Sequence, residues 1–313
     1  MKLLLPNSLP LSPALPDGAE AVSYDVSTPV PDEHLDAEAM VVWGSSGDAL
    51  AAVAGRMPAL RWVQALAAGP DAVLVAGFPP EVVITSGTGL HDRPVTEHAL
   101  ALVLSLVRRL PAAARAQAGH RWAGELGGLQ PLHPDGTVTT LLGARVLVWG
   151  FGSIGQRLAP LLRALGAQVR GVARSAGERS GFPVVPEEDL EDELACADVL
   201  VMVLPATEGT RHALDARRLA VLPAHALVVN VGRGSTVDEE ALVDALSEGR
   251  IAAAALDVTA VEPLPAESPL WDAPNLVLTP HAAGGRPVGA DELISANLAA
   301  LLAGGELRNV VAR

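Results

Sequence analysis

The stretch Val146-Leu-Val-Trp-Gly-Phe-Gly-Ser-Ile-Gly155 joins an apolar run to three glycines. The run is short and apolar, which is typical of a buried strand. After the second glycine, the apolar residues from Ile154 to Leu165 fall on one helical face, and Gly166 ends the helix. A second apolar run, Val169 to Ala173, follows at once. This order predicts a βαβ unit whose helix amides face a dinucleotide pyrophosphate; a purely structural glycine turn is the alternative.

The length of 313 residues, half of them hydrophobic, is sufficient for two domains with their own cores. The longest helical apolar run, Ala99 to Val107, is too short to span a bilayer. The first residues, Met1 to Pro6, lack the apolar core of a signal peptide. We therefore expect a soluble, cytoplasmic protein without a membrane partner.

The formal net charge of −14 argues against nucleic acid as a partner, because phosphate contacts require a basic face. The single cysteine, Cys196, allows no internal disulfide, in agreement with a reducing compartment. We expect Cys196 to be a small buried side chain.

The first part of the chain alternates short apolar runs with turn residues, which favours a small parallel sheet with helices such as Asp48–Arg56 between the strands. The predicted strands are Leu3–Leu5, Ala21–Val26, Met40–Trp43, Arg61–Leu66, Ala72–Val75 and Val82–Thr85. The turn Ala67-Ala-Gly-Pro70 offers free amides that could bind a carboxylate. An ordinary tight turn is the alternative.

A helix from Glu97 to Leu110 is apolar around most of its circumference and is expected to connect two domains, ending or kinking at Pro111. An irregular loop, Gly124 to Gly136, is expected to follow. The later strands are predicted at Val199–Leu204, Ala226–Asn230, Ile251–Asp257 and Leu276–Leu278, and the later helices at Arg211–Leu222, Asp238–Ser247 and Pro287–Leu302. The fold class is therefore α/β, with parallel sheets covered on both faces.

An arginine, two carboxylates and a histidine follow the later strands, where ligands bind in open parallel sheets. They are Arg233, Asp257, Glu262 and His281. A guanidinium can hold the carboxylate of a 2-keto acid, and a histidine oriented by a carboxylate can protonate the carbonyl oxygen as hydride arrives. The histidines and the single cysteine show no zinc-ligand spacing, so we expect no metal.

Five ordered motifs resemble the D-isomer-specific 2-hydroxyacid dehydrogenases over nearly the whole chain. They are Gly150-Phe-Gly-Ser-Ile-Gly155, Val229-Asn-Val-Gly-Arg-Gly234, Ala255-Leu-Asp-Val258, Glu262-Pro-Leu-Pro265 and Thr279-Pro-His-Ala282. Val95-Thr-Glu-His-Ala99 is similar to the start of the family's interdomain helix. Ala67-Ala-Gly-Pro-Asp71 is similar to its substrate-carboxylate loop, in which valine usually stands at the position of Pro70.

The resemblance implies that Arg233 binds substrate and that Glu262 pairs with His281, the acid/base. It implies substrate contacts for Ala68 and Gly69. It also implies cofactor contacts for Gly150, Gly152, Ser153, Ile154, Gly155, Leu204, Pro205, Val231 and Asp257, the last through the nicotinamide amide. The implied architecture is two Rossmann-like/flavodoxin-like parallel-sheet domains, with a doubly wound NAD(P)-binding Rossmann domain (97–283) inserted in the substrate domain (1–96 and 284–313). The site would lie in the cleft between the two lobes, and the assembly would be a homodimer built largely on the cofactor domains.

The cofactor preference is decided at the end of the second strand of the βαβ unit, where NAD enzymes place an acidic residue that binds the ribose. This chain has Ala173 there, followed by Arg174 and Ser175, which can pair with a 2′-phosphate. We therefore predict NADP(H), with NAD(H) possible if Arg174 faces solvent.

Arg174-Ser175, the Glu262 to Trp271 segment and Arg286-Pro287 are similar to the NADPH-dependent glyoxylate/hydroxypyruvate reductases. A small 2-keto acid of that type is the predicted substrate, with Trp43 and Arg286 as possible pocket residues. Glu262 disfavours the formate-dehydrogenase branch, which has glutamine in that role. Two alternatives remain: an NAD-dependent dehydrogenase acting on a phosphoglycerate- or lactate-like substrate, and a non-catalytic, dinucleotide-sensing protein like the corepressors that share this fold.

Overall fold

The computed structural model describes residues 1–127 and 131–312. They form two compact units: unit 1 contains residues 1–91 and 286–313, and unit 2 contains residues 92–285. Unit 2 is thus inserted into the chain of unit 1. The division lies at residues 91/92 and 285/286, a few residues from the predicted boundaries at 96/97 and 283/284.

Unit 1 is built on a parallel sheet that its described residues form in the order β2-β1-β3-β4-β5. This is the flavodoxin-like order. Its strands are β1 (Lys2–Pro6), β2 (Glu20–Tyr24), β3 (Ala39–Val42), β4 (Trp62–Ala65) and β5 (Val83–Thr85), and its helices are α1 (Gly47–Ala54), α2 (Asp71–Val75) and α9 (Ala290–Ala303). The α/β prediction for this part of the chain is confirmed.

The predicted strand Ala72–Val75 is wrong, because these residues belong to helix α2. The carbonyl of Pro70 accepts hydrogen bonds from the amides of Val73 and Leu74, at 2.9 and 3.0 Å, which starts a helical turn. A run of four apolar residues is too short for its periodicity to separate strand from helix.

Unit 2 contains a larger sheet in the order β13-β12-β11-β10-β6-β7-β9-β8, in which only the pairing of β8 with β9 is antiparallel among the described strands. The strands are β6 (Arg145–Trp149), β7 (Gln168–Ala173), β8 (Gly177–Arg179), β9 (Phe182–Pro186), β10 (Val199–Met202), β11 (Leu227–Asn230), β12 (Ala253–Leu256) and β13 (Leu276–Leu278). The helices are α3 (Asp92–Val107), α4 (Leu110–Ala118), α5 (Ser153–Ala164), α6 (Leu190–Leu194), α7 (Ala216–Val221) and α8 (Glu239–Ser247). The strand order reverses between β6 and β10, which is where doubly wound sheets bind dinucleotides.

Both faces of the unit 2 sheet are buried, as the near-continuous apolar strands predict. In β6, Val146 and Val148 join the core on one face, whereas Leu147 and Trp149 join the core on the other. The carboxyl ends of the parallel strands therefore form one edge of a buried sheet, and the loops that leave this edge carry the candidate site.

The structure corrects three local predictions. Helix α3 ends at Val107, and Pro111 lies in the first turn of α4 instead of ending α3, a position where its missing amide hydrogen costs no bond. Helix α7 begins only at Ala216, because Asp215 caps it by accepting from the Arg218 amide. Cys196 is exposed, since it lies in the turn between α6 and β10.

The predicted loop Gly124–Gly136 lies partly outside the described residues, and its described part contains two short 3₁₀ turns. No helix in the described part of the chain is both long and apolar enough to cross a membrane.

Candidate active site

The glycine turn after β6 passes close to a neighbouring chain segment and leaves part of its own backbone open. Gly150 has a φ of +99°, and a Cβ there would lie 2.5 Å from the carbonyl oxygen of Val203. Only glycine allows this turn and the close passage of the chain leaving β10. A Cβ on Gly152, in contrast, would meet nothing within 4 Å, so the backbone is open to a ligand there.

Helix α5 begins directly at this turn and presents an uncapped amino end. Its N-cap is Gly152, and no side chain among the described residues caps the helix. The first turn contains no acidic residue, and the Ser153 hydroxyl donates to Asp92 at 3.0 Å. The free amides of Ser153 and Ile154 and the positive end of the helix dipole can therefore hold an anion.

Gly155 lies inside the packing of helix against strand. A Cβ there would come within 2.9 Å of the Gly150 carbonyl oxygen. The missing side chain allows the close approach of α5 to β6, and the predicted cofactor contact of Gly155 stays a prediction.

Two arginines follow β7, and only the first of them, Arg174, was predicted from the sequence to contact a cofactor. Arg174 and Ser175 follow Ala173 and are exposed. Arg179, in the hairpin β8–β9, donates from Nη2 to the hydroxyl and carbonyl oxygens of Ser175, at 2.9 and 3.1 Å. It also donates from Nη1 to the carbonyl of Phe151 in the glycine turn, at 3.2 Å. The sequence does contain this second arginine shortly after Arg174, and its position could have indicated a role for Arg179.

The loops after β10 and β11 pack closely beside the glycine turn. Leu204 and Val231 are buried, whereas Pro205 is exposed. A Cβ on Gly232 would lie 2.6 Å from the carbonyl oxygen of Leu204. The predicted contacts of these residues with a cofactor stay predictions.

Arg233 lies in the turn that leaves β11, and this turn is braced from both sides. The Asn230 side chain donates to the Arg233 carbonyl at 3.0 Å, and Nη1 of Arg233 donates to the Gly232 carbonyl at 2.8 Å. A Cβ on Gly234 would lie 1.9 Å from the carbonyl carbon of Thr259. Because Gly234 has no side chain, the turn that carries Arg233 can pack directly against the loop that leaves β12.

That loop supplies the partner of the predicted acid/base. His281 Nδ1 lies 2.7 Å from Glu262 Oε2, and Glu262 Oε1 accepts from the Thr259 amide at 3.0 Å. Because an ionised carboxylate only accepts, Nδ1 carries the hydrogen, which leaves Nε2 for another partner. The side chains of His281 and Glu262 are 46% and 37% exposed, so the pair is accessible to a small molecule.

Asp257, which directly follows β12, is turned away from solvent. Its carboxylate accepts from the amides of Ala282 and Ala283, at 2.9 and 3.0 Å, and from the Thr279 hydroxyl at 2.6 Å. The predicted contact of Asp257 with a nicotinamide amide stays a prediction, since these protein donors already occupy the carboxylate.

A further carboxylate, Glu239 at the start of α8, was not identified from the sequence. It accepts from the amide of Ala260 at 2.6 Å, in the loop that carries Glu262. Burial raises the pKa of Glu239 above its usual value, against the opposing effects of the Ala260 amide and of His212. The negative charge of Glu262 acts in the same direction as burial.

In unit 1, the predicted substrate loop follows β4. The Gly87 amide donates to the Ala67 carbonyl at 2.8 Å, and the His91 ring contacts the Leu66 carbonyl at 2.8 Å. No acceptor in residues 1–127 or 131–312 hydrogen-bonds the amides of Ala68 and Gly69. Their carboxylate-binding role stays a prediction.

Comparison with known proteins decides the family. Residues 100–283 match the profile of the D-isomer specific 2-hydroxyacid dehydrogenase, NAD binding domain. The chain belongs to the D-isomer specific 2-hydroxyacid dehydrogenase family. A glyoxylate reductase from Aeropyrum pernix is 36% identical over 228 residues, which cover 72% of this chain and 68% of that protein.

Solved structures of the family show the same fold. A D-isomer specific 2-hydroxyacid dehydrogenase from Xanthobacter autotrophicus Py2, in complex with NADPH and MES, is 31% identical with a TM-score of 0.82, over 99% of this chain and 97% of that chain. An NADPH-dependent glyoxylate/hydroxypyruvate reductase from Sinorhizobium meliloti, in complex with NADP and sulfate, is 26% identical with a TM-score of 0.82, over 99% and 97%.

Membership of the D-2-hydroxyacid dehydrogenase family gives the class of reaction. The chain is an oxidoreductase of small 2-hydroxy or 2-keto acids that uses a nicotinamide dinucleotide, and it is similar to glyoxylate/hydroxypyruvate reductases. The open glycine turn and the uncapped end of α5 fit such a cofactor. The predicted family and fold class are confirmed.

Proposed function

We propose that this chain reduces a small 2-keto acid, of the glyoxylate or hydroxypyruvate type, to the 2-hydroxy acid with NADPH, and that His281 is the acid/base. The observation that carries the proposal is the accessible pair of His281 Nδ1 and Glu262 Oε2, 2.7 Å apart, at the strand-end edge that also carries Arg233 and the glycine turn. The relatives named as glyoxylate reductases support this substrate class.

In this mechanism Arg233 binds the substrate carboxylate. A planar guanidinium can form two parallel hydrogen bonds with a carboxylate and polarise the neighbouring carbonyl. When bound, NADPH supplies the hydride that reduces the carbonyl carbon. The carbonyl oxygen gains negative charge in the same step and takes a proton from Nε2 of His281. In the oxidative direction, the same nitrogen accepts the hydroxyl proton.

Glu262 acts on this proton transfer through the ring of His281. By accepting from Nδ1, its carboxylate fixes the orientation of the ring, so that Nε2 points away from the loop. Its negative charge also stabilises the protonated imidazole that must be present before reduction.

We propose NADP(H) as the preferred cofactor because two guanidinium groups, those of Arg174 and Arg179, follow β7 where an acidic residue would select NAD. Arg179 already binds Ser175, so a 2′-phosphate near Ser175 would find charged donors. The NADPH and NADP held by the two solved relatives support this preference.

Steady-state kinetics with glyoxylate, hydroxypyruvate, pyruvate and a phosphorylated hydroxypyruvate, each with NADPH and NADH, would test both parts. We expect the highest kcat/KM with NADPH and one of the two smallest acids. Equal or better efficiency with NADH would overturn the cofactor proposal. Absence of turnover with every acid would overturn the enzymatic proposal.

Arginine variants test the cofactor site more sharply. We expect Arg174→Gln to raise the KM for NADPH about 10-fold, with little change for NADH, because one charge-assisted hydrogen bond to the 2′-phosphate is lost. Arg170→Gln is the matched control, since Arg170 lies on β7 but pairs with Glu193 at 2.5 Å. An equal change for NADPH and NADH would contradict 2′-phosphate binding.

We also propose that the protein forms a homodimer through unit 2. Large apolar side chains are exposed on the segment after α3, among them Leu110 and Trp122, the latter 96% exposed. Aromatic side chains such as tryptophan are enriched in protein–protein interfaces. Sedimentation velocity at micromolar concentration should give the mass of a dimer, and a monomer would contradict the proposal.

A further inference from the structure

Three consecutive backbone amides in the turn after β13 donate to one residue, Asp257. The amide of His281 donates to the Asp257 carbonyl at 2.7 Å, that of Ala282 to Oδ1 at 2.9 Å and that of Ala283 to Oδ2 at 3.0 Å. His281 itself has a φ of +51°, in the left-handed region. Residues with a Cβ keep this conformation only where the surrounding structure holds them in it.

The side chain of Asp257 is completely buried, and a second histidine approaches it. Nε2 of His98, on helix α3, lies 3.1 Å from Asp257 Oδ1 and 3.0 Å from the Thr279 hydroxyl oxygen. The single hydroxyl hydrogen of Thr279 is donated to Asp257 Oδ1 at 2.6 Å. His98 therefore carries its hydrogen on Nε2 and donates it to this cluster, because neither oxygen has another hydrogen to give.

A buried carboxylate is stable only when hydrogen-bond donors surround it. Each donor to Asp257 either belongs to the turn that carries His281 or faces that turn. The amides of Ala282 and Ala283 and the hydroxyl of Thr279 fix the backbone on both sides of His281. His98 is 23% exposed and adds a donor from a different element, so helix α3 is tied to the same turn. The backbone conformation at His281 thus depends on groups outside its own side chain.

We propose that His98 is a positioning residue of the reaction: with Asp257 and Thr279 it forms a buried support that holds the left-handed turn of His281. This inference rests on the proposed role of His281. The support sets where Nε2 of His281 stands relative to the substrate oxygen, and a displacement of about 1 Å at a reacting group can cost about 100-fold in rate.

Two substitutions at His98 separate this role from simple stability. His98→Leu removes the donor and keeps a side chain of moderate size. His98→Gln retains an amide donor at nearly the position of Nε2. Thr279→Val removes the bridging hydroxyl with little change in shape, and it provides the measurement if His98→Leu does not fold.

We expect His98→Leu to lower kcat by about 10- to 100-fold while the KM for the keto acid and the Kd for NADPH stay within about threefold of the wild type. His98→Gln should restore kcat to within about threefold of the wild type. Thr279→Val should lower kcat in the same direction by a smaller factor. A kcat for His98→Leu within about twofold of the wild type would overturn the proposal, as would a parallel loss of cofactor binding.

Nitrogen NMR of the histidine rings supplies a readout that does not require turnover. The ring signal of His281, assigned by its loss in His281→Ala, should move in His98→Leu and stay in place in His98→Gln. An unmoved signal in His98→Leu would overturn the support. If the wild-type protein reduces no keto acid, the proposed function fails, and this signal alone decides the structural inference.

Discussion

Two pairs of histidine and carboxylate lie at the same end of the unit 2 sheet, and they differ in exposure. Glu262 and His281 form a half-exposed pair, whereas Asp257 and His98 form a pair whose carboxylate is completely buried. Both carboxylates follow strand β12. We call them the open pair and the buried pair, and the difference in exposure separates their proposed roles. The open pair leaves one ring nitrogen for a substrate, whereas the carboxylate of the buried pair binds the backbone turn that carries His281.

The largest expected effect on the reaction rate comes from removing the imidazole of His281, the histidine of the open pair. His281→Ala should lower kcat about 10²- to 10⁴-fold, because the proposed proton donor is lost, while the Kd for NADPH changes little. Stopped-flow reduction and fluorescence titration measure the two quantities.

His120→Ala is the matched control for this variant, since His120 is also an exposed histidine of unit 2 with a positive φ, of 52°. If His281→Ala and His120→Ala showed the same rate, His281 would have no part in the chemistry.

Removing the charge of the open carboxylate should have a smaller effect. Glu262→Gln should lower kcat about 10- to 100-fold, because the side chain keeps an acceptor for Nδ1 but loses the charge that stabilises the protonated ring. The KM for the keto acid should change little. Glu267→Gln, at an exposed position of the same loop, serves as the control. Equal rates for the two variants would remove Glu262 from the mechanism.

The smallest effect concerns Glu239, whose pKa burial raises. A carboxyl group with a raised pKa in the folded protein favours folding in its neutral form, so this contribution is lost as pH rises from the usual value of 4.5 through the raised pKa. Glu239→Gln should therefore raise the Tm by up to about 2 °C at neutral pH and leave it unchanged in acid. Thermal unfolding as a function of pH would measure this, and a decrease in Tm at neutral pH would contradict the assignment.

Local patterns in the sequence were sufficient for the elements that carry the open pair. Strand β6, the glycine turn and α5 follow from apolar periodicity and glycine spacing. Arg233, Glu262 and His281 follow from the rule that ligands bind at the carboxyl ends of parallel strands. The structure confirms the strand ends and brings Glu262 into contact with His281.

The contact between His98 and Asp257 could not be predicted from such local patterns. His98 reaches Asp257 from a helix far earlier in the chain, and only tertiary packing brings the two together. The hairpin that carries Arg179 has a short polar strand, Gly177–Arg179, at the edge of the sheet, where apolar alternation is absent. The helix α2 was mistaken for a strand because its apolar run is too short to show a period.

A crystal structure with bound NADP and a 2-keto acid would show which of the two histidines faces the substrate. We expect Nε2 of His281 within about 3 Å of the substrate's 2-oxygen, with Nδ1 still on Glu262 and Asp257 still bound to the amides of Ala282 and Ala283. A substrate oxygen that contacts Asp257 or His98, with His281 turned away from it, would contradict the division of work between the two pairs.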